Sequence, residues 1–401
     1  LPNLVEADFE PDSLRMSASY LRCAKDLFES KELQYCIMRY VLQQRDVSET
    51  GVGVEMFSWA GSLPILSFVR GGTHQIAHAA HHILVQSGCK FFTHAEVDKV
   101  IIENGTATGI RLADGTEIGA RKLVVSTLSP QQLCFDLIGR ENIPERIARR
   151  VELLEHDFGC LMWCAFAVHE APQYEAAAFN PDINDCFYLG LAEDNDPMHV
   201  ARECHWARLE KFPPLEDYCP TVWSHSLVDP SYAPPGKHIL GHEQLGPPAT
   251  AHTEREWLEI KERYAEELMG IWHKHAPNMT WDNVIGSDYS TPYDHLRMKN
   301  LGPNGCMPLL DRVPHQMEEK RPIPELANHR TPIQNLYATG SAWHLGANSG
   351  STESYNCYKI IAKDMNLGKP WEEPGKEEPD SLYQLWLTYF KRLQESAKVE
   401  P

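Results

Sequence analysis

Residues 65–127 constrain this chain more than any other stretch. "ILSFVRGG" (65–72) is apolar and ends in paired glycines. "THQIAHAAHHILVQSG" (73–88) follows with helical period, Thr73 placed to cap its start and Gly88 its end. "CKFFTHAEVDKVIIENG" (89–105) alternates and closes on Asn104-Gly105, a hairpin turn signal. "TATGIRLADGTEIGARKLVVST" (106–127) adds a second strand, a turn at Asp114-Gly115 and a third strand. The unbroken apolar run "KLVVST" predicts a strand buried on both faces, as in a parallel sheet covered by helices. Helix, meander and buried strand in this order define an α/β segment.

The other periodic segments are simpler. Residues 12–45 predict a helix, with Asp12 or Ser13 as its cap. Gly51-Val52-Gly53 follows no strand and carries little weight. Residues 128–158 read as helical, and "CLMWCAFAVHE" (160–170) as a buried strand. Residues 171–250 are rich in Pro, Asp, Trp and His and predict strands and loops with few helices. "TEREWLEIKERYAEELMGIWHKHAP" (253–277) predicts an amphipathic helix capped by Thr253 and stopped by Pro277. "NLYATGSAWHLGANSG" (335–350) is an apolar strand running into small residues, so backbone there comes close to something. A helix, "STESYNCYKIIAKDMN" (351–366), follows, then a charged linker and a last amphipathic helix, "SLYQLWLTYFKRLQE".

Composition narrows the class. The net charge of -19 excludes the basic face that a nucleic-acid binder presents to phosphates. No apolar stretch is long enough to span a bilayer as a helix. The 11 cysteines form no CxxC pair, which predicts reduced thiols and a cytoplasmic location. His74, His78 and His82 share one helix face with His81 beside them, but no carboxylates lie near in sequence, so a half-exposed helix face is expected and no metal. Cys160, Cys164, Cys186, Cys204 and Cys219 read as core residues.

Four blocks in order then resemble a known family. They are the 70–127 segment from "RGGTHQIAHAAHH" onward, "SLVDPSYAPPGKHIL", "STPYDHLR" and "RTPIQNLYATGSAWHLGANSGSTESYN". Together they resemble the phytoene-desaturase-like branch of the FAD-dependent amine oxidase superfamily, which includes retinol saturases, over roughly residues 55–365. The resemblance implies bound FAD. Gly71 and Gly72 would lie near the flavin ring or its ribityl chain, and Val97 would offer backbone groups to the adenine. Gly340 and Ser341 would approach the pyrophosphate and ribityl. His344, Leu345, Asn348 and Gly350 would run beside the isoalloxazine, with His344 as the catalytic candidate. Ser351 and Thr352 would open a helix whose N-terminal amides face the anionic edge of the reduced ring.

Two departures qualify the resemblance. The family's His-Pro-Gly-Gly-Gly reads His344-Leu345-Gly346-Ala347-Asn348 here. Its opening strand, GxGxxG turn and helix, which hold the pyrophosphate, have no counterpart in this sequence. The expected fold is therefore α/β, an incomplete Rossmann-like FAD-binding domain (56–130 and 325–366) with a mixed-sheet α+β substrate domain (1–55 and 131–324). Residues 367–401 would form a linker and terminal helix. The expected partner is a second polypeptide carrying the GxGxxG segment, from a separate gene or from cleavage of a precursor, an expectation prompted by Leu1 as first residue. The expected function is hydride transfer from an apolar organic substrate to flavin N5. A non-catalytic subunit and a histidine-based metal-dependent hydrolase are the alternatives.

Overall fold

The computed structural model describes residues 13–42, 45–53, 68–192, 196–344 and 352–372. Three helices open it: α1 (Ser13–Ser17), α2 (Tyr20–Leu27) and α3 (Lys31–Leu42). One long helix was expected here. Ser19 instead caps α2 by accepting from the Arg22 N–H, so the chain breaks where a short hydroxyl side chain competes with the helix. Helix α4 (His74–Gln86) follows the paired glycines, and Thr73 makes no side-chain cap bond. The meander β1 (Val97–Glu103), β2 (Thr106–Leu112) and β3 (Glu117–Gly119) turns at Asn104-Gly105 and Gly115 as the sequence predicts. Residues 89–96 of the expected first strand stay outside it.

Strand β4 (Val124–Ser126) pairs in parallel with β10 (Leu336–Ala338), more than 200 residues later. Between them lie α5 (Glu145–Glu152), β5 (Leu161–Val168), β6 (Tyr188–Gly190), α6 (Met198–Arg208), β7 (Thr221–Ser224), β8 (His238–Leu245), α7 (Glu254–His275), β9 (Val284–Ser290) and α8 (Pro292–Lys299). Helix α9 (Thr352–Met365) follows β10. The overall architecture is mixed α/β.

Strands β6-β7-β8-β5-β9 form one sheet. Every pairing in it is antiparallel, which corrects the expected mixed sheet. Only β6-β7-β8 follow one another as neighbours; β5 pairs with β8 and with β9, so the chain passes over the sheet between β5 and β6 and again between β8 and β9. One face carries Met162, Cys164, Phe166, Val222 and Leu240 against α7. Helix α7 buries Trp257, Ile260, Tyr264, Leu268 and Trp272 on that side, at three- and four-residue spacing. Its Thr253–Glu256 capping box and its His273-Lys274-His275 end match the helix dipole. The opposite face takes Leu161 and Leu245 against α2, α3 and α6.

Between α3 and α6 sits a buried ion pair. Arg39 reaches both carboxylate oxygens of Glu203 at 3.3 and 3.4 Å and donates to Thr221 Oγ1 at 3.3 Å. A third core, around Leu133, Ile138, Val151, Leu336 and Trp343, joins β4, β10 and the segment after β4. Of the cysteines read as core residues, Cys160, Cys164, Cys204 and Cys219 are buried and Cys186 is half-buried.

Candidate functional site

Two groups of the expected site residues are built into the fold. The first lies at the C-terminal ends of β4 and β10, where ligands sit in doubly wound sheets. Thr339 donates its N–H to Ser126 O at 2.9 Å, and Trp343 donates Nε1–H to Leu128 O at 3.0 Å. Gly340 has φ +106, and a Cβ there would stand 3.2 Å from Thr127 O. The small residue is thus required by the crossing of two chain segments before any ligand is considered. Thr339 Oγ1 is buried with no partner among the described residues.

Arg321 fixes this turn from behind. It is fully buried and donates to Ser341 O (2.7 and 3.1 Å) and to the carbonyls of Pro308, Leu310, Asp311 and Gln316. Burial, with Arg312 nearby, lowers its pKa to about 9, so it stays cationic at neutral pH. His344 is half-buried, and its Nδ1 lies 2.6 Å from Glu318 O, which orients the ring. Val97 opens β1 opposite Leu112. Thr352 is the first residue of α9. Leu345, Asn348, Gly350 and Ser351 lie outside the described residues.

The second group is the double-glycine turn. Gly71 and Gly72 have φ +77 and +96, values that suit glycine. Asp229 accepts from the Gly71 N–H at 2.7 Å, and this bond holds its carboxyl below the usual range. The Tyr232 hydroxyl lies 3.4 Å from where a Gly72 Cβ would be. Two blocks about 160 residues apart, "RGG" and "DPSY", are therefore one structure. The sequence marked both without showing that they touch.

Behind Tyr232 runs an aromatic wall that sequence reasoning missed. His225 stacks on Tyr232 (5.4 Å, 18°) and meets Phe187 edge-on (5.4 Å, 83°). Phe187 packs on Phe68 (4.2 Å), and Trp223 on Trp163 (5.0 Å). Gly241 makes room: a Cβ there would be 3.1 Å from both the His225 and Trp223 rings. Further along the same face, Glu243 is opposite Trp163 and Thr221, only 4% exposed, and burial raises its pKa to about 8.

The histidines of α4 show a different picture. His74 and His78 stack at 4.2 Å on a helix with no buried residue. Among the described residues no three His, Cys, Asp or Glu side chains cluster as a metal site. No helix of the described residues is long and apolar enough to cross a membrane.

The mixed α/β fold that carries the strand-end turn, the double-glycine turn and the antiparallel sheet has counterparts among known proteins. The chain is 28% identical over 321 residues to mouse pyridine nucleotide-disulfide oxidoreductase domain-containing protein 2, covering 77% of this chain and 53% of that protein. It is 24% identical over 374 residues to a limonene dehydrogenase subunit of Castellaniella defragrans (89% and 66%). It is 24% identical over 309 residues to the neurosporene-forming phytoene desaturase of Cereibacter sphaeroides (76% and 55%). An oxidoreductase structure from Methanosarcina mazei shares the fold with a TM-score of 0.51, at 15% identity, over 88% of this chain and 69% of that one. No family model matches the chain. The chain is similar to the phytoene-desaturase-like branch of the FAD-dependent amine oxidase superfamily, as its four blocks indicate. It spans between about half and two thirds of the length of these curated relatives.

Proposed function

We propose that this chain is the substrate-side part of an FAD-dependent oxidoreductase that takes a hydride from an apolar organic substrate. The observation that carries the reading is the clamp of Asp229 and Tyr232 on the Gly71-Gly72 turn, next to the aromatic wall. The residues present fit a flavin as far as they go. The positive-φ turn admits close approach of a flat group, Thr339 Oγ1 lacks a partner among the described residues, and α9 offers a helix N-terminus to an anion. Bound flavin supplies the hydride acceptor. The chain's own residues orient the substrate on the sheet face and exclude water from it. His344, oriented through Glu318 O, is proposed to contact flavin or substrate. Acid precipitation of the native assembly should release FAD; colourless native protein with every subunit present refutes the reading.

The pyrophosphate end is proposed to come from a second polypeptide carrying the GxGxxG strand–turn–helix, on the order of 100–170 residues. Two features of the described structure support this. Helix α4 buries nothing, with Ile76 and Ile83 61% and 63% exposed, and Phe92 beyond it 70% exposed. Val124 donates to Asn335 and Ser126 accepts from Thr339, so both face β10, while the Val125 backbone groups between them point to an open edge. A parallel strand with its helix would pair that edge and cover α4. One relative, matched over 89% of this chain, is itself named as a subunit of limonene dehydrogenase, which accords with an enzyme of more than one chain. Denaturing electrophoresis of the native enzyme should show two bands. A flavin-loaded, active preparation of this chain alone refutes the second polypeptide.

A further inference from the structure

His225 opens the helical turn His225–Val228 that follows β7. Its ring is boxed by Tyr232, Phe187 and Trp223, at 5.4, 5.4 and 6.2 Å, and rests over Gly241. None of these walls donates or accepts a hydrogen bond at the ring edge. Nδ1 is buried without a partner among the described residues. The residue as a whole is half-buried, and Nε2 is not enclosed in this way. One ring away, through Tyr232, lies Gly72.

We propose that His225 is the proton acceptor on the substrate side of this site, its Nε2 facing an apolar substrate held against the Phe187–Trp223–Tyr232 wall. The inference rests on the flavoenzyme reading above. In the step it serves, one substrate C–H bond breaks with its electron pair, which leaves as hydride to the flavin oxidant. The adjacent C–H bond gives its proton to His225 Nε2 and its electron pair to a new C=C bond. The imidazolium then passes the proton to solvent. Positive charge that develops on carbon as the hydride departs meets aromatic faces, which attract it. A carbon next to that charge needs only a weak base.

The surroundings keep that base neutral. Burial lowers the pKa of His225 below its ordinary 6.5. The charged and titratable groups nearby are committed elsewhere. Asp229 holds the Gly71 and Ser231 N–H groups, with Arg70 beside it, and His238 on β8 bonds Ser226 Oγ. The ring is therefore in its accepting form at neutral pH.

The test uses the FAD-loaded native assembly, with cyclohexene as an apolar probe bearing activated C–H bonds. Diethyl pyrocarbonate reacts with neutral imidazole, so labelling of His225, followed by peptide mass spectrometry against pH, reads its ionisation. Labelling should be complete at pH 7, should fall off only below the ordinary 6.5, and should slow when cyclohexene is bound. H225Q should keep wild-type FAD content while cyclohexene bleaches the flavin about a hundred- to ten-thousand-fold more slowly. An unreactive His225, labelling indifferent to cyclohexene, no bleaching of the wild type, or H225Q bleached at wild-type speed each overturns the inference. A native assembly without FAD overturns the flavoenzyme reading itself, and the role of His225 with it.

Discussion

Replacing Glu243 by Gln should make this protein more stable, by an amount that grows with pH. The carboxyl lies on the sheet face beside Trp163, 4% exposed, and Oε1 has no partner among the described residues. Burial raises its pKa from 4.5 to about 8, against the pull of Arg39. The folded protein therefore keeps a proton on Glu243 between those two values, where the unfolded chain has lost it. A raised folded-state pKa gives stability that is fully present below 4.5 and is lost as pH climbs to about 8. The loss is 1.36 kcal/mol per pH unit, about 3 kcal/mol at pH 7 and about 5 kcal/mol above pH 8. Glutamine keeps the shape and cannot ionise. Any cost of its amide is the same at every pH and appears as an offset. Asp311, also raised by burial to about 6, titrates in both proteins and cancels from the difference. Urea unfolding of both proteins at several pH values, extrapolated linearly, gives the two stabilities. The difference should be flat below pH 5, rise to pH 8 and level off. A difference that stays flat from pH 5 to 8 refutes the account and means that Glu243 ionises in the folded state as it does in water.

Arg321→Ala should cost about 3–5 kcal/mol in urea unfolding, since it takes a buried donor from five backbone carbonyls, of which Asp311 O keeps Gln316 Nε2–H, and Arg321→Lys should recover only part of this; a loss below about 1 kcal/mol would show that water replaces the guanidinium. Asp229→Asn should weaken FAD retention, and wild-type retention should fall in acid as the Asp229 carboxylate protonates, its pKa lying below the usual range; unchanged FAD content in the variant counts against the clamp. His344→Ala should leave most of the flavin bound and slow its reduction by substrate, while reduction at wild-type speed in stopped flow would make His344 a bystander. Ile83→Lys on α4 should block assembly with the second polypeptide without harming the fold of this chain, so co-purification of the pair at wild-type yield would argue against that face as the interface.

What the sequence discloses depends on how local each cause is. Thr253 and Glu256 are three residues apart, so the start of α7 is legible, as are the turns at Asn104-Gly105 and Asp114-Gly115. Helix α6 is not, because His199 and Glu203 occupy its buried face where a pattern search expects apolar side chains. Glu203 is acceptable there only because Arg39, 164 positions earlier, meets it. "KLVVST" has the composition of a strand covered on both faces, yet Val125 is 42% exposed, for it pairs with β10 alone. The helix spacing of 74–86 is correct while its apolar face remains open.

The small residues of the candidate site also separate by cause. Gly340 is needed because Thr127 O occupies the space beside it, which holds with or without a ligand. Gly241 is needed because two rings, His225 and Trp223, lie across its strand. Gly71 and Gly72 need positive φ, and the side chains that exploit it, Asp229 and Tyr232, come from the connection between β7 and β8. A motif read from sequence assigns Gly71, Gly72 and Gly340 to a cofactor alike and passes over Gly241. In the fold, Gly340 serves a chain crossing, Gly241 serves the aromatic wall, and the 71–72 pair joins its turn to that wall. The link runs from Gly71 through Asp229 and from Gly72 through Tyr232 to His225, so a change at any of these should be felt at the aromatic wall before it is felt in overall stability. That ordering sets them apart from Arg321, whose loss should unfold the turn first.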